Sequence, residues 1–195
     1  MLNKNIILPL FVLVALVQLY VPASMILGKE AVLKDGVEYK FKTAPIDPSD
    51  PFRGKYIVLD YEHNSIEVTD STWARNEAVY VILKTDTDGF ARIKNVVREE
   101  PSDGVEDYIE AKVNYLYKWD PWRLEIDYPF DRYYMEESKA YEAELAYREV
   151  RRDTSQVAYA LVRVKDGEAV LQDVLIDDVP IKEVVKKARE NQDIE

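Results

Sequence analysis

The stretch "TAPIDPSDPFRGKYIVLDY", from Thr43 to Tyr61, sets Arg53 and Gly54 at the mouth of an apolar run, after Asp47, Pro48, Asp50 and Pro51. Proline lacks a donor N–H, and an aspartate before it favours turn initiation, so two consecutive turns are expected there. An arginine so placed offers a planar fork of donors to a carboxylate or a phosphate. Beside Asp47, Asp50 and Asp60, its expected role is a local ion pair that fixes the turn. Arg132 in "FDRYYMEE", with Asp131, Glu136 and Glu137 nearby, has the same two readings, and the two arginines are candidates to converge in space.

Eight of the 22 aromatic residues fall between Tyr115 and Tyr134, including Trp119, Trp122, Tyr128 and Phe130. Such rings can stack on sugars or peptides, in which case a concave pocket lined by Trp119 or Trp122 is expected. The plainer expectation is a barrel core or a rim resting on a membrane surface. Asp173, Asp177 and Asp178 are oxygen donors suited to a hard cation but lack the regular spacing and glycine of a calcium loop, and read as solvated surface. His63, in the polar turn "YEHNS", has no serine nucleophile visibly paired with it and reads as an exposed turn residue.

Composition excludes several chemistries. Without cysteine there is no disulfide, thiolate zinc site or cysteine nucleophile, and a single histidine rules out an all-histidine metal cage. No cofactor and no metal site is expected. Acidic residues outnumber basic ones by 37 to 26, and Lys4 is the only charge before Lys29, so residues 29–195 carry 25 minus 37, or −12. That surface repels nucleic acid, which is not an expected partner.

The elements that must position these residues begin with a separate segment, 1–28. From Ile6 to Leu27 there is no charge over 22 residues, enough at about 1.5 Å per residue to span a hydrocarbon core of about 30 Å. A transmembrane anchor is expected; a cleaved signal peptide is the rival, though the apolar run is long for one and no A-x-A site follows. Lys4 favours a cytoplasmic N-terminus and an extracytoplasmic main domain, an asymmetry narrowed by Lys29 and Lys34. Pro9, Gln18, Pro22 and Ser24 interrupt the run and suggest that the helix has neighbours.

Residues 29–195 read as one domain. Short β-rich runs, "VEYKFKT", "KYIVLDYE", "AVYVILK", "FARIKNVV", "YIEAKVNYLY", "WRLEID" and "RYYM", recur between turn signals, the pattern of an antiparallel barrel or sandwich. "KYIVLDY" is apolar on both faces and is expected to be a central strand. Glu136 to Arg152 carries an apolar stripe at three and four residue spacing and predicts one amphipathic helix. "QVAYALVRVK" and "EAVLQDVLID" predict a hairpin turning at Asp166 and Gly167. A C-terminal helix is expected to open on Pro180. The fold class is thus mostly β, with an N-terminal transmembrane helix, one amphipathic helix and a C-terminal helix.

The block "PIDPSDPFRGKYIVLDY" resembles the hallmark of the GDYXXLXY family of membrane-anchored bacterial proteins, through Gly54, Tyr56, Leu59 and Tyr61. Lys55 stands where the family has aspartate, so no role of that carboxylate carries over. The similarity extends to the anchor, to "FDRYYMEE" and to "VRVKDGEAVLQDVLIDDVP". It implies an anchor plus one extracytoplasmic domain of unassigned activity, in a family often associated with a multi-spanning membrane protein. The layout also resembles serine and lysine signal peptidases, through Ser24 and Met25, "RGKYIV" and "IKNVV". That resemblance implies Ser24 as nucleophile and Lys94, its pKa lowered by burial, as general base. It lacks the proline and glycines usual near the serine. The primary expectation is an accessory module that binds a multi-spanning membrane protein, with Arg53, Gly54, Tyr56, Leu59, Tyr61, Trp119, Trp122, Arg132 and Tyr133 as interaction residues. The peptidase and an extracytoplasmic ligand-binding domain are the alternatives.

Overall fold

A computed structural model describes residues 4–44, 56–102, 104, 106–134, 157–184 and 186. Arg53, Gly54 and the helix expected over Glu136 to Arg152 lie outside the described residues. The chain opens with a single helix, α1 (Lys4–Asp35), which contains Pro9 and Pro22. Its span Leu8–Asp35, whose most apolar 18-residue window has a mean hydropathy of 2.3, is long and apolar enough to cross a membrane. The helix does not stop at residue 28, where the anchor was expected to end. At about 1.5 Å per residue its 32 residues measure about 48 Å, more than a hydrocarbon core of about 30 Å requires.

The strands follow as antiparallel sheets. β1 (Val37–Ala44), β10 (Ala158–Lys165), β11 (Glu168–Ile176) and β12 (Val179–Pro180) lie in one sheet with β3 (Asp60–Tyr61), in the order β12-β11-β10-β1-β3. A second sheet has the order β4 (Ser65–Glu67), β8 (Arg123–Asp127), β7 (Tyr108–Tyr117), β5 (Ala78–Thr85), β6 (Ala91–Val97). β2 (Tyr56–Val58) pairs with β9 (Arg132–Tyr134), and Leu59 N–H donates to the Asp131 carbonyl at 2.7 Å. The sheets meet again where Glu110 N–H donates to the Gly167 carbonyl at 2.9 Å, beside a parallel bridge between Ile109 and Gly167. The result is a nearly closed, barrel-like wall around one core that includes Val81, Ile109, Leu124, Val162, Val174 and Ile181.

"KYIVLDY" does not form one central strand. Ile57, Leu59 and Tyr61 are buried while Val58 and Asp60 are exposed, so only one face meets the core. β2 and β3 also take different partners, β9 and β1. Pro180 closes β12 and leads directly into the expected C-terminal helix, described over residues 181–184.

The hairpin between β10 and β11 turns through Asp166 and Gly167, at φ 49° and 81°. Two positive φ values in a two-residue loop match the right-handed twist of the strands, and glycine reaches them at no steric cost. A Cβ at Gly167 would also lie 2.8 Å from Tyr108 Cε2, whereas Gly89, at φ 83°, has nothing within 4 Å. Gly89→Ala is therefore expected to cost only backbone strain, about 1 kcal/mol, and Gly167→Ala distinctly more, up to about 3 kcal/mol. Urea midpoints of the two variants in detergent check the order; equal losses would contradict the packing at Tyr108.

Candidate functional site

Two regions carry candidate function, one where α1 meets the β-domain and one at the far end of β7. At the first, α1 projects from the domain with its apolar surface exposed until its last turns. Val32 is buried there, Lys29 pairs with Glu168, and Lys165 lies 3.6 Å from Asp35. Lys165 and Glu168 face each other across the hairpin turn, so the helix end is held on both sides of the β10–β11 tip. Gly36 makes the close fit possible. Its N–H donates to the Val32 carbonyl at 2.9 Å and its carbonyl accepts Arg163 Nη1 at 3.2 Å. A Cβ there would overlap the Val32 carbonyl oxygen and come within 3.1 Å of the Val164 carbonyl oxygen. Beside this joint is a cavity of about 390 Å³, lined in part by Lys29, Glu110, Arg132 and Glu168. Arg132 is half exposed, with Asp131 at 3.7 Å, which agrees with the ion-pair reading.

The second region follows from a bulge. Ile109, Ala111 and Val113 of β7 are buried, as alternation requires, but the pairing with β8 shifts between Val113 and Tyr115. The extra residue, Asn114, flips the alternation: Leu116 turns inward, and Tyr115 and Tyr117 turn out. With Trp119, which is 70% exposed, these rings form a ladder, the Tyr115 and Tyr117 centroids 4.9 Å apart and those of Tyr117 and Trp119 6.2 Å apart. Together with Trp73, Arg75, Leu116 and Lys118 they line an open groove of about 820 Å³. β7 runs parallel to β11 from the hairpin tip, so Tyr115 to Trp119 lie six to ten residues past Ile109, about 20–30 Å from the joint with α1.

One wall of the groove is held by charge. The Arg98 guanidinium lies 3.8 Å from the Trp73 ring centre, with Asp70 at 2.8 Å and Glu77 at 2.5 Å. Hydrogen bonds from Arg98 and then Thr72 pull the Asp70 carboxyl down to about 2. Glu77 is also lowered, first by the Ala74 N–H and then by Arg98.

The remaining predicted residues divide. Leu59, Tyr61 and Tyr133, expected on an interaction surface, are instead core residues. The Tyr61 ring meets Phe41, Tyr128 and Phe130 edge-on at 5.4–5.8 Å, and its hydroxyl donates to the Phe130 carbonyl at 2.8 Å. The backbone of Tyr56 pairs with Tyr134 in β2 and β9. Trp122 is half buried, its carbonyl accepting Val68 N–H at 3.0 Å. His63 is half buried, and its carbonyl accepts the Tyr128 hydroxyl at 3.2 Å. The Ser24 hydroxyl donates to the Val21 carbonyl at 2.8 Å within α1, and Lys94, half exposed, is ion-paired with Glu106. The bonds of neither connect the two.

Sequence reasoning missed a set of tyrosine–carboxylate pairs: Tyr39 to Asp107 at 2.7 Å, Tyr133 to Asp173 at 2.6 Å, Tyr159 to Asp178 at 2.5 Å, and Tyr108 to Glu100 at 2.8 Å. Burial and then the carboxylate bond raise the Tyr39, Tyr133 and Tyr159 hydroxyls far above the usual phenol range, so these groups stay donors. Asp173 and Asp178, read as solvated surface, are acceptors in this set. Asp177 accepts Val157 N–H at 2.9 Å. Among the described residues no group of three or more His, Asp or Glu side chains is placed to hold a metal ion.

The clamp on Trp73 gives a pH dependence. The Asp70 carboxyl lies below its ordinary value, so its contribution is complete above about pH 4 and lost as pH falls through about 2, and Glu77, also lowered, acts in the same direction. Trp73 fluorescence is expected to hold steady above pH 4 and to change between 4 and 2, and Arg98→Met is expected to remove that step. A transition near neutral pH would contradict the clamp.

No curated protein and no solved structure matches this chain. The model of one family, the GDYXXLXY proteins, matches residues 18–174, from the middle of α1 to the end of the second hairpin strand. That span holds both the helix joint and the groove, and the chain belongs to the GDYXXLXY protein family.

Proposed function

We propose that this chain is a single-pass accessory module with its N-terminus in the cytoplasm and its β-domain outside, which binds a multi-spanning membrane protein through α1. The observation that carries the reading is the joint: an exposed apolar helix runs unbroken into the β-domain and is locked to a hairpin tip. Lys4 on the near side of the apolar run supports the orientation. Ser24 satisfies its hydroxyl within the helix, but Gln18 is exposed on α1 with its amide unbonded. An amide in hydrocarbon costs free energy until another helix supplies a partner, which favours helix neighbours over an isolated anchor. What the family resemblance implies, association with a multi-spanning membrane protein, points the same way. A second reading, a ligand-binding domain, is favoured by the groove at Trp119.

The cysteine-free chain makes the test direct. A single Thr87→Cys substitution, in the exposed loop between β5 and β6, is expected to react with a membrane-impermeant maleimide in intact cells. Labelling only after lysis would reverse the orientation. A photo-crosslinking residue at position 18 is expected to capture one discrete multi-spanning protein, equally with Ser24→Ala. No adduct would argue against the partner, and a varied set of exported proteins trapped only by Ser24→Ala would favour a peptidase.

A further inference from the structure

We propose that the groove at the far end of β7 binds an extended acidic peptide segment of another protein. This inference stands apart from the anchor and its partner. Among the described residues beyond α1, the exposed large hydrophobic ones are Val37, Val58, Tyr115, Tyr117, Trp119 and Tyr134, and half of these six line this one groove. A concentration of exposed rings in one concavity marks a binding surface rather than ordinary apolar scatter.

The period of the ladder selects the ligand. Tyr115 and Tyr117 stand two residues apart on β7, about 6.8 Å along the backbone, the repeat at which a strand added alongside presents its own side chains, and Trp119 follows just past the strand's end. The sheet is also open to it. Pairing of β5 with β7 ends at Ala78 and Lys112; beyond it Asn76 N–H donates to the Val113 carbonyl at 2.8 Å and Val113 N–H to the Glu77 carbonyl at 3.0 Å. From Tyr115 to Tyr117, β7 pairs with β8 alone among the described residues, so an incoming strand can continue the sheet where β5 leaves it. The rings do not make a flat platform for sugars, because Tyr115 and Tyr117 meet at 65°.

Charge selects the sign. In this molecule of net charge −11, basic groups such as Arg92, Arg98 and Arg163 are held by carboxylates. Arg75 and Lys118 have no such partner, and both line the groove. An acidic side chain of the peptide would meet two unspent cations there. The Arg98 clamp on Trp73 holds one wall in place beforehand, which limits the ordering cost of binding.

The test uses the full chain in nanodiscs of zwitterionic lipid, with empty nanodiscs as blank, and three fluorescent probes: an alternating valine–glutamate peptide, an alternating valine–lysine peptide and a soluble polyuronate. Anisotropy is expected to report binding of the valine–glutamate peptide alone. Trp119→Ala, on an exposed side chain, is expected to weaken it about tenfold or more. The double variant Arg75→Glu with Lys118→Glu is expected to lose that peptide and take up the valine–lysine one. Binding of both peptides equally, of neither, or of the polyuronate in preference would overturn the proposal.

Discussion

The close approach of the last turn of α1 to the β10–β11 hairpin is the constraint on which the rest of the molecule depends. Gly36 leaves the helix where a Cβ would overlap the Val32 carbonyl, so backbone meets backbone with no side chain between. Two ion pairs, Lys29 with Glu168 and Lys165 with Asp35, fasten either side, and the buried Val32 supplies the apolar contact. Exposed ion pairs contribute little by themselves, so the fit at Gly36 and Val32 carries most of the joint. With no spacer between helix and sheet, the pose of the β-domain follows from the helix.

From that joint the remaining geometry is set by strand direction. β10 runs towards the helix end, β11 away from it, and β7 follows β11 through the bridge at Gly167. The groove is therefore carried towards the opposite end of the domain. The core keeps this frame stiff. Phe41, Tyr61, Tyr128 and Phe130 interlock edge-on or stacked, and the tyrosine–carboxylate pairs tie buried rings to segments distant in the chain. Leu59 and Tyr61, two of the residues that define the family, belong to this frame.

What was legible in the sequence was local chemistry. Asp166 and Gly167 announce their turn because only residues at ease with positive φ fit a two-residue hairpin, and the apolar run of α1 needs no tertiary knowledge. What was not legible depended on partners distant in the chain. The apolar composition of "KYIVLDY" conceals that Val58 faces out and that the strand changes neighbours at Leu59. The ladder was hidden by one residue: strict alternation from Ile109 would bury Tyr115 and Tyr117, and the bulge at Asn114 turns them to the surface. Nor does sequence spacing disclose that Tyr133 will find Asp173, or Tyr39 find Asp107, across the fold.

The most direct test of this account is the distance between α1 and the β-domain. The chain has no cysteine, so spin labels at Leu27→Cys and Thr87→Cys can be read by pulsed electron double resonance in lipid nanodiscs without background. A rigid joint predicts one narrow distance distribution, broadened when Gly36→Val is added, because the new side chain cannot be seated against Val32 and Val164. A broad distribution in the otherwise native chain would mean that the helix only tethers the domain, and would contradict the account.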